Sequence, residues 1–496
     1  MPVIGRYRIL SLGLCSVVLA GCEGQFVGIE PATPDTVTKL VVAPPVATSK
    51  PVTDVEVHRP SKLPDRIVLT WIGDPSRSQA VTWRTDTSVS VGLAEIAIAA
   101  DNASFEKRAR QLKAKTEPLK SNLSTAHYHS VEFAALSPKT KYAYRVGDGA
   151  NWSEWFHFTT ASDQPEPFSF VYFGDAQNDL KSMWSRVIRE AFTDAPKARF
   201  LLHAGDLINN ANNDANWGEW FQAGGWLNGM IPSVPTPGNH EYVSISVETS
   251  PPDATLPLNL KLTPTLSQHW RPQFALPENG PKGLEETVYF LDYQGVRIVS
   301  LNSNEMHAEQ AVWLDKVLAG NPGRWSILTF HHPIYSSAKS RDNVKLRKSW
   351  QPVIDKHRVD LVLQGHDHTY ARSGLATAAT VDAATNETTG VKGRNAAGTV
   401  YVVSVSGPKM YDLGTPLRTE FRRVAEDVQL FQIITIDGDE LHYVARTATG
   451  QPYDGFTLKK RDNQPNELIE QVPDTPQHLR PVKPPTPVTP AAVKVK

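Results

Sequence analysis

Four short stretches of the chain each place a glycine beside metal-binding side chains, and each follows an apolar run. They read Gly174-Asp175-Ala176-Gln177, Gly205-Asp206-Leu207, Gly238-Asn239-His240-Glu241 and Gly365-His366-Asp367-His368. A fifth, Phe330-His331-His332-Pro333, lies between the last two. Carboxylates, an amide oxygen and imidazoles suit ions such as Zn, Mn, Fe or Ni rather than soft metals. The repeated, ordered pattern predicts a centre of two metal ions that cleaves phosphate esters.

The elements that must position these motifs are buried strands. Near-continuous apolar runs, typical of strands covered on both faces, occupy 168–173, 200–202, 296–301, 325–330 and 359–363. Apolar residues at helical spacing predict helices over 310–318 and 346–354, and strands return at 399–405, 430–436 and 441–445. In open α/β sheets the ends of neighbouring strands converge on one crevice. We therefore expect one catalytic body over 167–460.

An earlier segment, 60–162, shows the alternating pattern of half-buried strands. Its predicted strands are 66–71, 79–84, 94–99, 128–133, 141–146 and 155–160. Several short strands separated by turn residues indicate a β-sandwich. The stretch 136–142 resembles the tyrosine-bearing corner of fibronectin type III domains.

The amino terminus has the pattern of an export signal. Arg6 and Arg8 precede a short apolar run that is below the roughly 20 residues needed to span a bilayer. The run ends in Leu19-Ala20-Gly21-Cys22, which resembles the lipobox of bacterial lipoproteins. This predicts a signal peptide over 1–21 and a lipid on Cys22; the alternative is an ordinary signal peptide that ends near a cysteine. We expect an exported bacterial lipoprotein of the outer membrane, periplasm or cell surface.

Composition limits the remaining segments and partners. A Pro- and Thr-rich tether is expected over 22–59, and a Pro-rich tail without fixed structure over 461–496. The only other cysteine, Cys15, lies in the signal peptide, so the mature chain has no internal disulfide. A net charge of -1 provides no basic field for nucleic acid, which is therefore not an expected partner.

The order, spacing and flanking residues of the motifs resemble the calcineurin-like metallophosphoesterases, most closely their purple acid phosphatase branch. The family pattern is GDx, GDxxY, GNH[DE], a strand ending HxP, and GHxH, and four of the five are intact here. The resemblance implies an N-terminal all-β sandwich of fibronectin III type. An α/β/β/α metallophosphoesterase sandwich would follow it.

The resemblance also assigns two metal ions per chain, divalent or of Fe type, from Fe, Zn and Mn. Asp206 would bridge them. The other ligands would be Asp175 and His368 at the first site, and Asn239, His331 and His366 at the second. Two cations about 3.5–4 Å apart repel each other, and a shared carboxylate both neutralises and spaces them.

The sequence departs from the family at the first site. Purple enzymes carry a tyrosine at the end of GDxxY, whose phenolate on Fe(III) gives their colour, and here that position is Asn209. Other branches place a histidine two residues after the first aspartate, and here that position is Gln177. Gln177 and Asn209 are candidates for weak neutral ligands. His332 is a candidate for a ligand or for a contact behind the ligands. The protein is expected not to be purple.

Three further residues are candidates for acting on the substrate. In the family the histidine after Asn239 points at the substrate, and an imidazole can protonate a leaving alkoxide. His240 is therefore the predicted general acid, with a structural histidine as the alternative. Arg341 and Asn343 follow the His331 strand, where the family places substrate contacts. A guanidinium can grip phosphate with two hydrogen bonds.

The expected function is metal-dependent hydrolysis of a small phosphomonoester, as in acid phosphatases. One alternative is a phosphodiesterase acting on nucleotides or lipid headgroups. Another is a catalytically silent wall-binding or adhesion lipoprotein, which the altered first site favours and the intact second-site motifs oppose. The sequence does not indicate an oligomeric state.

Overall fold

A computed structural model of the chain describes residues 49–243, 264–378, 398–414, 420–462 and 464–481. The predicted signal peptide, Cys22 and most of the predicted tether lie outside these residues. From Val52 onward the described residues form one compact unit. Within the described ranges, no helix combines the length and the apolar character needed to cross a membrane.

The first part of this unit is a β-sandwich. Its strands are β1 (Asp65–Thr70), β2 (Gln79–Thr85), β3 (Leu93–Ile98), β4 (Arg110–Lys113), β5 (Lys115–Lys120), β6 (Thr125–Phe133), β7 (Lys141–Gly147) and β8 (Phe156–Thr159). They form two four-stranded antiparallel sheets, ordered β1-β2-β6-β5 and β4-β3-β7-β8, around a shared apolar core. The Tyr142 hydroxyl accepts the Ser137 N–H at 2.9 Å, so this corner of the sandwich is tied back to β7.

The described part of the catalytic body contains two seven-stranded sheets and a two-stranded one. Its strands are β9 (Phe168–Phe173), β10 (Leu201–His203), β11 (Ser233–Pro235), β12 (Tyr242–Val243), β13 (Thr265–Leu266), β14 (Tyr289–Tyr293), β15 (Val296–Ser300), β16 (Trp325–Thr329), β17 (Leu361–Gln364), β18 (Tyr370–Ala376), β19 (Thr399–Val403), β20 (Phe421–Ala425), β21 (Leu430–Asp437), β22 (Glu440–Thr447), β23 (Pro452–Lys459) and β24 (Glu467–Glu470). The first large sheet has the order β11-β10-β9-β21-β22-β23-β24 and the second β14-β15-β16-β17-β19-β18-β20.

The described residues of this unit include six α-helices. They are α1 (Asp54–Val57), α2 (Ser185–Asp194), α3 (Asp214–Gly224), α4 (Trp270–Gln273), α5 (His307–Ala319) and α6 (Val344–His357). Apolar residues of both sheets pack against each other in one core, which α2 and α3 extend. A second core joins α5 and α6 to the second sheet. The predicted fold class, a sandwich domain followed by a layered α/β domain, is confirmed.

The parallel strands of each sheet determine where the motifs meet. β9, β10 and β11 run parallel in the first sheet, and β15, β16, β17 and β19 in the second. Just beyond β9 and β19, Asp175 and Val405 pair in a parallel bridge. The bridge joins the carboxyl ends of the two sheets, so loops from both reach one place.

The predicted tail without fixed structure is wrong as far as residue 481. β24 pairs with β23, and its Glu470 carboxylate accepts from the Arg372 guanidinium at 2.7 Å. Arg372 is fully buried and also binds Asp454, so the strand supplies a second carboxylate to a buried guanidinium. Residues 482–496 lie outside the described residues.

The predicted tether also ends earlier than expected. Thr53 caps α1, and its side chain and backbone both pair with Glu56. After the helix, His58 is buried and packs so closely on α3 that a Cβ on Gly218 would lie 2.2 Å from its ring. The last residues before β1 therefore belong to the folded unit.

A buried ion network joins the sandwich to the catalytic body. The Arg66 guanidinium of β1 contacts the Asp214 carboxylate at 2.7 Å, and Arg84 of β2 contacts it at 3.4 Å. All three side chains are nearly inaccessible to solvent. Asp214 begins α3, which follows the Asp206 loop, so the sandwich anchors one side of the site.

Candidate metal centre

The six predicted ligands lie beyond the carboxyl ends of strands from both sheets. They are Asp175 after β9, Asp206 after β10, Asn239 after β11, His331 after β16, and His366 and His368 after β17. Hydrogen bonds tie these loops together across the sheets. For example, the His366 N–H donates to Asp175 Oδ1 at 2.6 Å, although the two residues are 191 positions apart.

These residues form two sets that share one carboxylate. The first set is Asp175, Asp206 and His368, and the second set is Asp206, His331 and His366. In each set the donor atoms lie within 4.8 Å of one another. Asp206 therefore occupies the position expected of a bridging ligand. Asn239 joins the second set, because its Oδ1 lies 2.9 Å from His366 Nδ1 and 3.1 Å from His331 Nε2.

Three ligands have a left-handed backbone conformation. The φ angle is +50° at Asp206, +73° at His366 and +48° at His368. Aspartate, asparagine and histidine tolerate this region better than other non-glycine residues. The chain therefore turns sharply at each strand end and directs the ligand across the crevice.

The glycines before the ligands are required by close packing. Gly205 has a φ of +89°, and a Cβ there would lie 2.7 Å from the Nδ1 atom of His331. A Cβ on Gly365 would lie 2.2 Å from Asp175 Oδ1. Any side chain at either position would displace a ligand, which explains why glycine precedes the ligands in these motifs.

The Glu241 carboxylate fixes the loop that carries the bridging ligand. Its Oε2 accepts the N–H groups of Asp206 at 2.9 Å and Gly238 at 2.7 Å, and its Oε1 accepts those of Leu207 at 2.8 Å and Ile208 at 3.4 Å. Burial, together with the adjacent Asp206 carboxylate, raises the pKa of Glu241 to about 8. Two acidic groups thus share one desolvated site, which favours cations beside them.

In the second set, several nitrogen and oxygen atoms that carry lone pairs face one another. The Nδ1 atom of His331 lies 3.0 Å from the Ala204 carbonyl, so this nitrogen carries the hydrogen in the neutral ring. The opposite nitrogen, Nε2, then presents a lone pair to Asp206 Oδ2 at 3.1 Å and Asn239 Oδ1 at 3.1 Å. Only a cation or an extra proton can satisfy several converging acceptors. The donor set therefore fits a metal ion.

The first set has the same character. His368 Nδ1 lies 2.8 Å from the Lys409 carbonyl, and His368 Nε2 faces Asp175 Oδ2 at 3.1 Å. Among the described residues, Asp175 Oδ2 is buried and accepts no hydrogen bond. Unpartnered buried acceptors are costly unless a bound group satisfies them. This set also fits a metal ion.

The pKa of His331 shows how strongly the centre favours positive charge. Burial alone would lower it, but the Asp206 and Asp175 carboxylates outweigh burial and raise the pKa of His331 to about 9. Burial alone would raise the pKa of Asp175, but the neighbouring His368 and His331 hold it below its usual range. Without metal, the extra proton on His331 therefore supplies the positive charge that a bound cation would otherwise supply.

His240 lies at the mouth of this centre. Its side chain is 27% exposed, and its Nε2 is 3.9 Å from Asp206 Oδ2. Its backbone N–H donates to Asp206 Oδ1 at 2.8 Å, and its Nδ1 lies 2.5 Å from the Asn209 carbonyl. Because that carbonyl only accepts, Nδ1 carries a hydrogen, and Nε2 is the atom free to exchange a proton with a substrate.

The structure separates the other candidates around the first set. Gln177 is fully buried, and its Nε2 lies 3.0 Å from Asp206 Oδ2. Asn209 instead turns its side-chain oxygen to Asn178 Nδ2 at 3.1 Å.

Near the second set, His332 packs against the ring of a predicted ligand, His366. Its ring packs 4.2 Å from the His366 ring, centroid to centroid. Its Nδ1 pairs with the Ser303 hydroxyl at 2.8 Å. The structure therefore gives His332 a supporting contact rather than a place in either set.

A cationic rim borders the first set. The Tyr411 ring packs 4.5 Å from the His368 ring, and the Arg341 guanidinium lies 4.7 Å from the Tyr411 centroid. The Lys409 ammonium lies 5.4 Å from the same centroid. Arg341 uses one N–H on the His366 carbonyl at 2.8 Å, which leaves further donors of its fork available.

Two neighbouring residues support this rim. Asn343 directs its amide to the Pro333 carbonyl at 2.9 Å and the Ser336 hydroxyl at 3.3 Å, so its recorded partners lie within its own loop. Asp367 is buried and accepts the Ser337 N–H at 2.6 Å, which ties the Arg341 loop to the GHDH motif.

Sequence reasoning missed several of these roles. Glu241 could have been found, because it is the last residue of the GNH[DE] motif. No sequence motif marks Lys409 and Tyr411, which lie in the segment after β19.

Two family models match the chain. Residues 64–160 match the N-terminal domain of purple acid phosphatases, and residues 168–370 match the calcineurin-like phosphoesterases. The latter range ends at Tyr370, just beyond the last predicted ligand. The two matches cover the sandwich and most of the catalytic body.

Curated relatives carry names from the same family. Probable purple acid phosphatase 20 of Arabidopsis thaliana is 25% identical over 73% of this chain and 78% of its own length. Fe(3+)-Zn(2+) purple acid phosphatase 12 of the same plant is 26% identical over 51% of this chain. That alignment spans 53% of the relative, so the chain matches only about half of it.

Two solved structures share the fold. Purple acid phosphatase PPD1 from yellow lupin seeds has a TM-score of 0.63 and 18% identity, over 81% of this chain and 75% of that one. The structure of PhoD has a TM-score of 0.59 and 14% identity, over 85% and 94%. The two family models, which together span most of the folded chain, and the curated relatives identify the chain as a metal-dependent phosphoesterase of the calcineurin-like superfamily, in its purple acid phosphatase branch.

Proposed function

We propose that the protein hydrolyses phosphomonoesters of small molecules at a centre of two metal ions. The observation that carries this proposal is the pairing of an exposed imidazole, His240, with the cationic rim of Arg341 and Lys409 around one ligand cluster. His240 can protonate the leaving oxygen, and the rim can bind the negatively charged phosphoryl group.

The ions would be held by the two sets already described, with Asp206 common to both. Bound there, they supply positive charge that stabilises the phosphoryl group as its negative charge develops. The protein's own contribution is to fix six ligands in place and to exclude water from their outer sides. Glu241 serves this purpose by holding the Asp206 and Gly238 loops together.

His240 is the group that moves a proton. Its Nδ1 hydrogen is held by the Asn209 carbonyl, which orients the ring. Its Nε2, when protonated, can donate to the departing alkoxide. The backbone bond to Asp206 Oδ1 links the position of this acid to the bridging ligand.

The rim favours a monoester over a diester. A phosphomonoester carries one more ionisable oxygen than a diester and therefore more negative charge. Arg341 retains guanidinium donors, and Lys409 lies on the other side of the shared Tyr411 contact. A charge-assisted hydrogen bond contributes about 1.5–3 kcal/mol, so the rim should favour the monoester at least about tenfold.

The test is a comparison of p-nitrophenyl phosphate with bis-p-nitrophenyl phosphate after loading with Mn, Zn or Fe in turn. We expect a higher kcat/KM for the monoester, and Arg341→Ala should reduce this preference. Arg347→Ala is the matched control, because Arg347 pairs with Asp342 at 2.6 Å rather than with the rim. Preference for the diester would contradict the proposal. Metal binding without hydrolysis of either ester would favour a silent binding protein.

We also propose that the protein is held at the bacterial envelope by a lipid on Cys22. The support is the Leu19-Ala20-Gly21-Cys22 sequence after a short apolar run. Cys22→Ser should move the protein from the membrane fraction to the soluble fraction after lysis. Cys15→Ser is the control, because Cys15 lies in the segment predicted to be removed, and it should remain with membranes. Membrane association of the Cys22→Ser variant would contradict the anchor.

A further inference from the structure

Gln177 occupies the gap in the first ligand set. Its Nε2 lies 3.0 Å from Asp206 Oδ2 and 2.9 Å from His368 Nε2, and both partners belong to that set. The side chain is fully buried, and it follows Asp175 by two residues. The carboxamide therefore lies where a further ligand of the first ion would stand.

The carboxamide is turned with its donor end toward the set. Its Oε1, on the other side, is buried and has no hydrogen-bond partner among the described residues. The nitrogen and oxygen ends of a glutamine exchange places by rotation about the terminal torsion, and hydrogen bonding decides which orientation is adopted. Rotation would give up the Nε2 contact with Asp206 Oδ2 but would break no bond at Oε1, which has none within the part of the chain that the structure describes. It would also replace a donor that repels a cation with an oxygen that binds one.

Asn209, the other candidate, is already committed elsewhere. Its side-chain oxygen accepts from Asn178 Nδ2 at 3.1 Å, and its carbonyl contacts His240 Nδ1 at 2.5 Å. Both contacts serve the mouth of the site and the orientation of the general acid. No bond recorded for Asn209 reaches Asp175, Asp206 or His368 in the described ranges.

We infer that Gln177 supplies a neutral oxygen ligand to the first ion, and that the centre accordingly takes two divalent ions. The inference rests on the two-metal centre of the proposed function. The first set then contains two carboxylates, one of them shared, with an imidazole and a carboxamide. Such a set has no phenolate to compensate the third charge of Fe(III). Oxygen and imidazole ligands suit Mn, Zn or ferrous iron.

The test measures metal content and does not depend on activity. Wild-type protein loaded with Mn²⁺ or Zn²⁺ and freed of excess ion should contain about two ions per chain, and Gln177→Ala about one. The dissociation constant of the first ion should rise on the order of 10²-fold, since even residues that only support ligands change metal affinity by 10–100-fold. Gln177→Glu, which keeps an oxygen in place, should retain both ions.

Asn209→Ala is the matched control and should also retain both ions. A second measurement is the visible spectrum of the Co²⁺-loaded protein, which should change in Gln177→Ala and not in Asn209→Ala. Two ions in Gln177→Ala with an unchanged cobalt spectrum would overturn the role of Gln177 alone. Ferric iron retained with a strong visible band would overturn the divalent centre. Wild-type protein that binds no metal would overturn the proposed function as well.

Discussion

Replacing Asp206 by alanine is expected to lower bound metal from about two ions per chain toward one or none. Asp206 is the one residue common to both ligand sets, and it is 1% exposed, so no water can easily replace its carboxylate. Hydrolysis should fall on the order of 10³-fold or more, because the charge stabilisation that two ions provide amounts to several kcal/mol. Elemental analysis of purified variants measures the metal directly.

Asp206→Asn separates the carboxylate's charge from the backbone conformation. Asparagine tolerates the left-handed φ of +50° as well as aspartate does, whereas alanine adds strain. The asparagine variant should keep the fold and the bond from the His240 N–H, yet still lose metal. Asp175→Ala should remove only the first ion. Equal metal content in the wild type and Asp206→Ala would rule out a shared ligand.

Replacing His240 by alanine should leave metal content nearly unchanged and slow hydrolysis of alkyl phosphates by roughly 10²–10⁴-fold. An alkoxide is a poor leaving group and needs the proton that Nε2 provides. p-Nitrophenolate leaves with little assistance, so hydrolysis of p-nitrophenyl phosphate should suffer much less. The measurement is kcat/KM for both esters, with metal content determined on the same samples.

His332→Gln is a suitable control for this contrast. His332 packs on the His366 ring and bonds to Ser303, away from the mouth of the site. Its replacement should slow both esters alike or cost metal, as expected of a supporting residue. An equal loss on both esters in His240→Ala would remove His240 from the role of acid and leave it as a phosphate contact.

The predicted ligands could be grouped from the sequence because each follows a buried strand, and all but His331 lie in a motif that begins with glycine. Strand ends in layered α/β folds converge, so order along the chain is enough to group them. The sequence could not choose between Gln177 and Asn209, since both follow a predicted ligand closely, by two residues after Asp175 and by three after Asp206. Only the packed structure shows that one reaches Asp206 and the other bonds to Asn178.

Parts of the fold were missed for a different reason. Half of the residues of β4 and β5 are charged, and Pro118 lies within β5, so neither strand has the alternation that predicts strands. The sequence places β24 within the predicted Pro-rich tail. Its place depends on Arg372, a partner 98 positions away, and local periodicity contains no information about such a pair.

The left-handed ligand positions affect how substitutions in related sequences should be interpreted. At 206, 366 and 368 the backbone itself restricts the residue to types such as aspartate, asparagine, histidine or glycine, with or without a metal. A descendant that lost activity would therefore be slow to change these positions. Asp175 and His331 are under no such restriction, because their φ angles are not left-handed. Retention of these two ligands is the more informative sign that a lineage still uses the metal.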